Sequence, residues 1–443
     1  MLATPQLSHD ILVLFSTRVV RLFAYGSLAV ILALYLTALG MTESQMGLLL
    51  TLTLAGDTAV SLWLTTHADR FGRRRTLIIG AILMAAAGGV FAVSDTFWIL
   101  LIAATIGVIS PSGNEVGPFL SVEQAALSQV VPDHDRTSVF AWYTLAASLA
   151  TAVGSLVGGL SIGALQFAEF SSIASYRIAV SGYALMGAVL VVLFWRLSPQ
   201  VEVTAVPTTV SHDVAPSARN ARGWFGLKQS HHVVWRLSGL FALDAFGGGF
   251  VIQSLAAYWF HIRYGVQPAM LGGIFFGANL LAGVSALLAA RLAARFGLIN
   301  TMVFTHLPSN VLLILVPLMP NLPLAIAVLF LRFSISQMDV PTRQSYVMAV
   351  VPPEERSAAA GIAGVARTTG AAIAPVLAGR LLANPITGDL LFYLGGGLKI
   401  VYDLLLYRSF IQIRPPEEMM APQGQSPSPP ANEETAHTHP ILE

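Results

Sequence analysis

Asp57, Asp244, Arg332, Asp339 and Arg367 stand in or beside stretches made largely of Leu, Ile, Val, Ala and Phe. A charge in hydrocarbon costs at least about 2.5–3.5 kcal/mol on insertion scales, so such residues are paired, face a cavity or line a substrate path. Asp57 falls about 13 residues into its apolar segment, near mid-depth at a rise of about 1.5 Å per residue. Two readings stay open for it: a proton or cation site, or a neutral hydrogen-bonded side chain. Asp339 and Arg343 are spaced i, i+4, which suits an ion pair, with Arg332 on about the same helical face. Arg21 and Asp244 could meet across a cavity and hold it shut, while Arg18 could snorkel to the headgroups. Glu115, between Pro111 and Pro118, is expected on a broken helix lining that cavity. Arg367 needs an acidic partner or an anionic substrate. Lys399 and Asp403, also at i, i+4, read as a structural pair. Trp142 and Tyr143 suit a binding wall or an interfacial belt.

Bond-making chemistry finds little support. The chain has no cysteine, which excludes thiolate catalysis and Cys-ligated zinc. It has no Gly-Lys dipeptide and therefore no phosphate-binding G-x-x-x-x-G-K-(S/T) loop. H-E-x-x-H does not occur. Gly159-Leu160-Ser161-Ile162-Gly163 has the G-x-S-x-G spacing, but it lies inside a long apolar segment and not on a strand-to-helix turn, so it is no hydrolase elbow. His437 and His439 form an isolated H-x-H near the end of the chain, read as solvated. No enzymatic activity, cofactor or metal is expected. A net charge of +1 gives no basic field for nucleic acid.

The elements that carry these residues follow from composition. The chain is 55% hydrophobic and only 11% charged, with a mean hydropathy of +0.70. Soluble domains average roughly 25% charged residues, so lipid is the solvent for most of this chain. Segments of about 20 apolar residues are needed to span a bilayer as helix. Twelve are read, from residues 16–39 to 389–410. The fourth and tenth run on into less apolar stretches, 121–131 and 346–351, and are expected to continue as helix past the bilayer. The polar stretch 198–235 divides a six-helix half, 1–197, from a second, 236–411. The Pro-rich stretch 412–443 reads as a disordered cytoplasmic tail, and 198–235 as a cytoplasmic linker. The N-terminus has no basic n-region or cleavage site, so the first segment should remain as a spanning helix. Arg70, Arg73, Arg74 and Arg75, Arg136, Arg291, Arg295 and Arg356 lie in loops on the side that holds both termini. Positive residues stay cytoplasmic, which places both termini inside a cell membrane.

The halves repeat one another. Phe71-Gly72 recurs as Phe296-Gly297, and Gly40 and Gly47 as Gly265 and Gly272, each 225 residues on. Later the offset becomes 220: Val131-Pro132 recurs as Val351-Pro352, Arg136 as Arg356, Gly159 as Gly379. The same offset sets Glu123 opposite Arg343, either as an acid/base pair at a cytoplasmic gate or as a fixed structural network. Gly247-Gly248-Gly249 loosens the seventh segment, as hinge or as packing surface.

The run 67–75, His-Ala-Asp-Arg-Phe-Gly-Arg-Arg-Arg, resembles the hallmark loop between the second and third helices of the major facilitator superfamily. Asp69, Arg70, Gly72, Arg73 and Arg74 match its pattern; Thr65 or Thr66 stands where the family opens with Gly. In that family the loop latches the two halves and releases during the conformational cycle. Gly154-Ser155-Leu156-Val157-Gly158-Gly159 is similar to the G-P-x-x-G-G of the antiporter branch, with Ser155 in place of Pro. The repeat copy keeps the Pro, as Pro375. The family's basic residue of the fourth helix has no counterpart in 109–118.

The resemblance implies an all-α membrane protein of twelve transmembrane helices in two pseudo-symmetric six-helix halves. It implies a secondary active transporter working by alternating access around a central site. Proton-coupled export of small organic compounds or drugs is one expectation. A proton-coupled importer of a small anion or metabolite, served by Arg21, Arg332 and Arg367, is the alternative. A non-transporting sensor on the same fold is a third reading. The expected partners are a small-molecule substrate, protons and the lipid bilayer, with the chain acting as a monomer.

Overall fold

A computed structural model describes residues 5–202, 227 and 230–411. The stretch 412–443 with His437 and His439, and most of 203–229 with Lys228, lie outside the described residues. Among the described residues, twelve passes are built from fifteen α-helices. The first half contains α1 (Pro5–Ala38), α2 (Glu43–Phe71), α3 (Arg73–Val93), α4 (Phe97–Ile106), α5 (Phe119–Val130), α6 (Asp133–Phe167) and α7 (Ser172–Trp195). The second contains α8 (His231–Gly249), α9 (Gln253–Tyr264), α10 (Pro268–Phe296), α11 (Leu298–Leu315), α12 (Leu322–Phe333), α13 (Asp339–Ala349), α14 (Arg356–Leu382) and α15 (Leu390–Phe410). Helix α8 starts at His231, inside the span expected as linker, and Pro199–Val201 forms a short 3-10 turn.

Three passes are each made of two helices, α4 with α5, α8 with α9, and α12 with α13. The break in the fourth falls where Pro111 and Pro118 led it to be expected, and its continuation as helix is α5; the break in the tenth was not expected. Helix α4 stops at Ile106, and the chain runs non-helically to Pro118. Pro111 and Pro118 bring no backbone N–H, and Gly113 and Gly117 take φ of +72° and +78°, so no α-helix can pass through. Helix α12 likewise ends at Phe333, five residues before α13. A break at membrane depth is tolerated only where protein or a cavity satisfies the freed backbone.

The halves meet along α2 against α14 and α6 against α10. A Cβ at Gly47 would lie 2.5 Å from the Pro375 carbonyl, and one at Gly379 2.3 Å from the Glu43 carbonyl. A Cβ at Gly159 would lie 2.3 Å from the Pro268 carbonyl and 2.7 Å from Gly272 Cα. Contacts that short exist because Gly47, Gly159, Gly272 and Gly379 have no side chain. Val376 N donates to Thr51 Oγ1 at 2.9 Å and Tyr258 OH to Glu43 Oε1 at 2.8 Å across the same seam. All of these lie toward the end of the bundle away from the termini. The apolar core has the same asymmetry. One cluster joins both halves through Leu36, Met46, Trp259, Leu271 and Ala378. A second, around Phe241, Met302, Tyr346 and Phe410, belongs to the second half alone, toward the terminal end. The halves are therefore fused at the far end and packed separately near the termini. Trp98, Ile102 and Ile106 of α4 are exposed and suit a lipid-facing surface.

Candidate functional site

Helix α1 turns Thr17, Arg18, Arg21 and Tyr25 to one face by their helical spacing. Opposite them stand α5 and the break that precedes it. Glu123, one turn into α5, is fully buried and accepts Arg21 Nη1 at 2.7 Å and Nη2 at 2.6 Å. Thr17 Oγ1 at 2.9 Å and Tyr143 OH at 2.5 Å complete its four donors. A carboxylate offers about four lone-pair sites, so Glu123 is saturated. Arg21 also reaches Glu115 in the break, with Nε and Nη2 both at 3.2 Å. Arg18 Nη1 lies 3.2 Å from Glu115, and its guanidinium sits over the Tyr143 ring at 4.2 Å. Arg18 is thus buried in this network and does not extend to the headgroups.

Asp57 accepts the Gly117 N–H at 2.6 Å and the Ser61 hydroxyl at 3.3 Å. Both donors are neutral. The carboxylate ties α2 to the residue at which the broken fourth pass bends.

The second half holds a longer chain of ionisable groups. Asp244 of α8 accepts Lys399 Nζ at 2.5 Å and Arg343 Nη1 at 3.2 Å. Arg343 also donates to Asp339 at 2.9 Å, one turn earlier on α13. His306 of α11 places Nε2 3.8 Å from Asp244 and Nδ1 2.8 Å from Asp403. Asn310 donates to the other Asp403 oxygen at 2.9 Å. Lys399 and Asp403 therefore do not pair with each other; each turns to a different helix. Arg332 and Arg367 are half-buried, and the Nε of each is shielded from water with no hydrogen-bond partner.

Arg21 and Asp244 do not meet. Each is committed to a nearer opposite charge in its own half. Glu123 and Arg343 belong to the corresponding networks of the two halves.

The turn between α2 and α3 is closed by a residue far away in sequence. Gly72 has φ +96°, a conformation that any side chain would strain. The first N–H groups of α3, Arg73 and Arg74, donate to Glu202 at 2.7 and 3.2 Å. A carboxylate at a helix N-terminus is stabilised by the unpaired N–H groups and the dipole. Arg73 Nη1 reaches Gln129 Oε1 at 2.6 Å, and Arg74 Nη2 reaches the Trp195 carbonyl. Arg70 is exposed, and the Asp69 side chain lies outside the described residues. Gly154 and Gly158 let α6 press on α1: Cβ atoms there would lie 2.1 Å from the Phe23 carbonyl and 2.6 Å from Ser27. Ser155, in place of Pro, accepts Gln253 Nε2 at 3.2 Å and Asn279 Nδ2 at 3.1 Å from the other half.

His306, Asn310 and Glu202 were not singled out in the sequence. His306 could have been noticed as a lone polar ring in an apolar segment. Glu202 carried no such signal, because its role depends on the fold returning it to α3. Among the described residues no group of three His, Asp or Glu is placed to hold a metal ion.

Known proteins place this architecture. A sequence model of the Major Facilitator Superfamily matches residues 14–375. An uncharacterized membrane protein of Saccharomyces cerevisiae is 31% identical over 92% of this chain and 95% of its own. The quinolone resistance protein NorA of Staphylococcus aureus is 26% identical over 34% of this chain and 38% of its own. The crystal structure of a bacterial homologue of the human lysosomal transporter Spinster, inward-facing and occupied, superposes with a TM-score of 0.70. That match is 15% identical and covers 93% of this chain and 99% of the other. Twelve passes and the family match over residues 14–375 agree: the chain belongs to the Major Facilitator Superfamily, a family of membrane transporters.

Proposed function

We propose that this chain is a proton-coupled secondary transporter that exports small organic compounds by alternating access. Glycine contacts and hydrogen bonds close the seam between the halves at one end, while their cores separate at the other. Basic loops on the side of the termini argue that this side is cytoplasmic. The conformation is then inward-open, and transport consists of rocking the halves to exchange the closed and open ends.

The observation that carries proton coupling is Asp57. Its ionised carboxylate receives the Gly117 N–H, so protonation weakens the tie between α2 and the broken fourth pass. Helix α2 also carries Gly47 and Thr51, which touch α14 across the seam. A proton taken up at Asp57 thus has a mechanical route to the closure between the halves. Export is supported by the small-residue run at Gly154–Gly159 and by the partial likeness to NorA.

Purified protein in liposomes under an imposed pH gradient tests the reading, with fluorescent cations and labelled organic anions as cargo. Gradient-driven flux that Asp57→Asn abolishes supports it. Flux that ignores both the gradient and that substitution contradicts it, and absence of any flux favours a sensor.

A further inference from the structure

The ionisable groups inside the second half do not balance. In the first half Arg18 and Arg21 face Glu115 and Glu123. In the second, Arg343 and Lys399 face Asp244 and Asp339, while His306 faces Asp403. Arg332 and Arg367 remain, and among the described residues neither forms an ion pair. Arg332 shares the face of α12 that carries buried Ala325 and Leu329, and Arg367 the face of α14 that carries buried Ala363 and Ala374, so both turn toward the protein and not toward lipid. Asp244 and Asp339 are already occupied by Arg343 and Lys399, leaving a surplus of positive charge.

We propose that Arg332 and Arg367 hold the acidic group of the transported molecule, so that the substrate is an organic anion such as a carboxylate, phosphonate or sulfonate. The proposal rests on the transporter reading above and adds the substrate class.

Two features support it. A buried cation without a partner is costly, and proteins retain one where a ligand supplies the opposite charge. Each guanidinium is half-buried and has a sealed, unpartnered Nε, leaving the fork to bind a planar or tetrahedral oxyanion with two parallel hydrogen bonds. Arg332 is steadied by its own neighbour, lying 4.8 Å from the Phe333 ring centre. Depth separates a free anion from a lipid headgroup. Arg332 lies ten residues into α12 and Arg367 eleven into α14. At about 1.5 Å per residue that is roughly 15 Å from either helix start, near the middle of the bilayer.

The test is thermal unfolding of the purified full chain in detergent at constant ionic strength. The added probes are sodium benzoate, phenylphosphonate and benzenesulfonate, with benzylamine and benzyl alcohol as cationic and neutral counterparts. At least one anion should raise the wild-type Tm, with neither counterpart doing so. Arg332→Gln and Arg367→Gln should each weaken that anion by on the order of tenfold or more. Arg332→Lys, which keeps the charge and loses the fork, should fall between. Both glutamine variants should also be more stable than wild type without ligand, because an uncompensated charge has been removed. A purely structural arginine would give the opposite sign. Stabilisation by benzylamine instead of the anions, no stabilisation by any anion, or anion shifts unchanged in both variants would overturn the proposal. Binding here needs no proton gradient or flux, so its failure is distinguishable from failure of the transport reading.

Discussion

Glu123 and Arg343 occupy equivalent places in the two halves, 220 residues apart, and carry opposite charges. Each is bound to the first pass of its own half with the sign exchanged. Arg21 on α1 gives its fork to Glu123, and Asp244 on α8 receives Arg343. The fold repeats while the polarity of its buried pair inverts.

The Arg21–Glu123 pair should be strongly coupled. Removing one partner of a buried pair typically costs about 3–5 kcal/mol, because the other charge is stranded. Arg21→Gln and Glu123→Gln should each lower the Tm sharply in detergent. The double variant should recover a large part of the loss, since no charge is then left alone. Additive losses would show that the two act separately.

The seam can be locked covalently. A Cβ at Gly163 would lie 3.0 Å from the Ala269 Cβ, across α6 and α10. The chain has no cysteine, so Gly163→Cys with Ala269→Cys would be its only thiols. Oxidation should crosslink them, stop transport and be reversed by a reductant. Full transport by crosslinked protein would refute a cycle that opens this end.

Glu202 should act as the cap of α3. Glu202→Ala removes the acceptor of two N–H groups and should destabilise by about 0.5–2 kcal/mol. Gly72→Ala should cost about 1–3 kcal/mol through its positive φ. The added Cβ would also sit 3.1 Å from Glu202 Oε1, so the two effects should not add. Chemical denaturation of the single and double variants measures this.

His306 should be needed for the stability of the second half. His306→Ala strands Asp403 with Asn310 as its remaining donor and removes a group facing Asp244. A fall in Tm on the scale of the Arg21 variants is expected, and Asp403→Asn should restore part of it in the double variant. Equal stability of His306→Ala and wild type would show that the network carries no weight.

The passes were legible because bilayer thickness imposes their length, and the repeat because Gly72, Gly159 and their copies serve turns and close approaches that need glycine. The break around Glu115 was legible from Pro111 and Pro118. Partnerships were not. Lys399 and Asp403 have helical spacing, but their heads point to α8 and α11, a choice set by packing between helices far apart in sequence. Arg21 and Asp244 looked complementary because the repeat aligns their helices, yet each found its partner within one half. Glu202 showed nothing in sequence, since only the folded chain returns it to α3.

Proton coupling through Asp57 is tested most directly by proton-driven flux in liposomes, wild type beside Asp57→Asn. Flux should rise with the imposed pH gradient in wild type and lose its gradient dependence in Asp57→Asn, with folding intact by Tm. Gradient-driven flux undiminished in Asp57→Asn would contradict it and place proton coupling elsewhere in the chain.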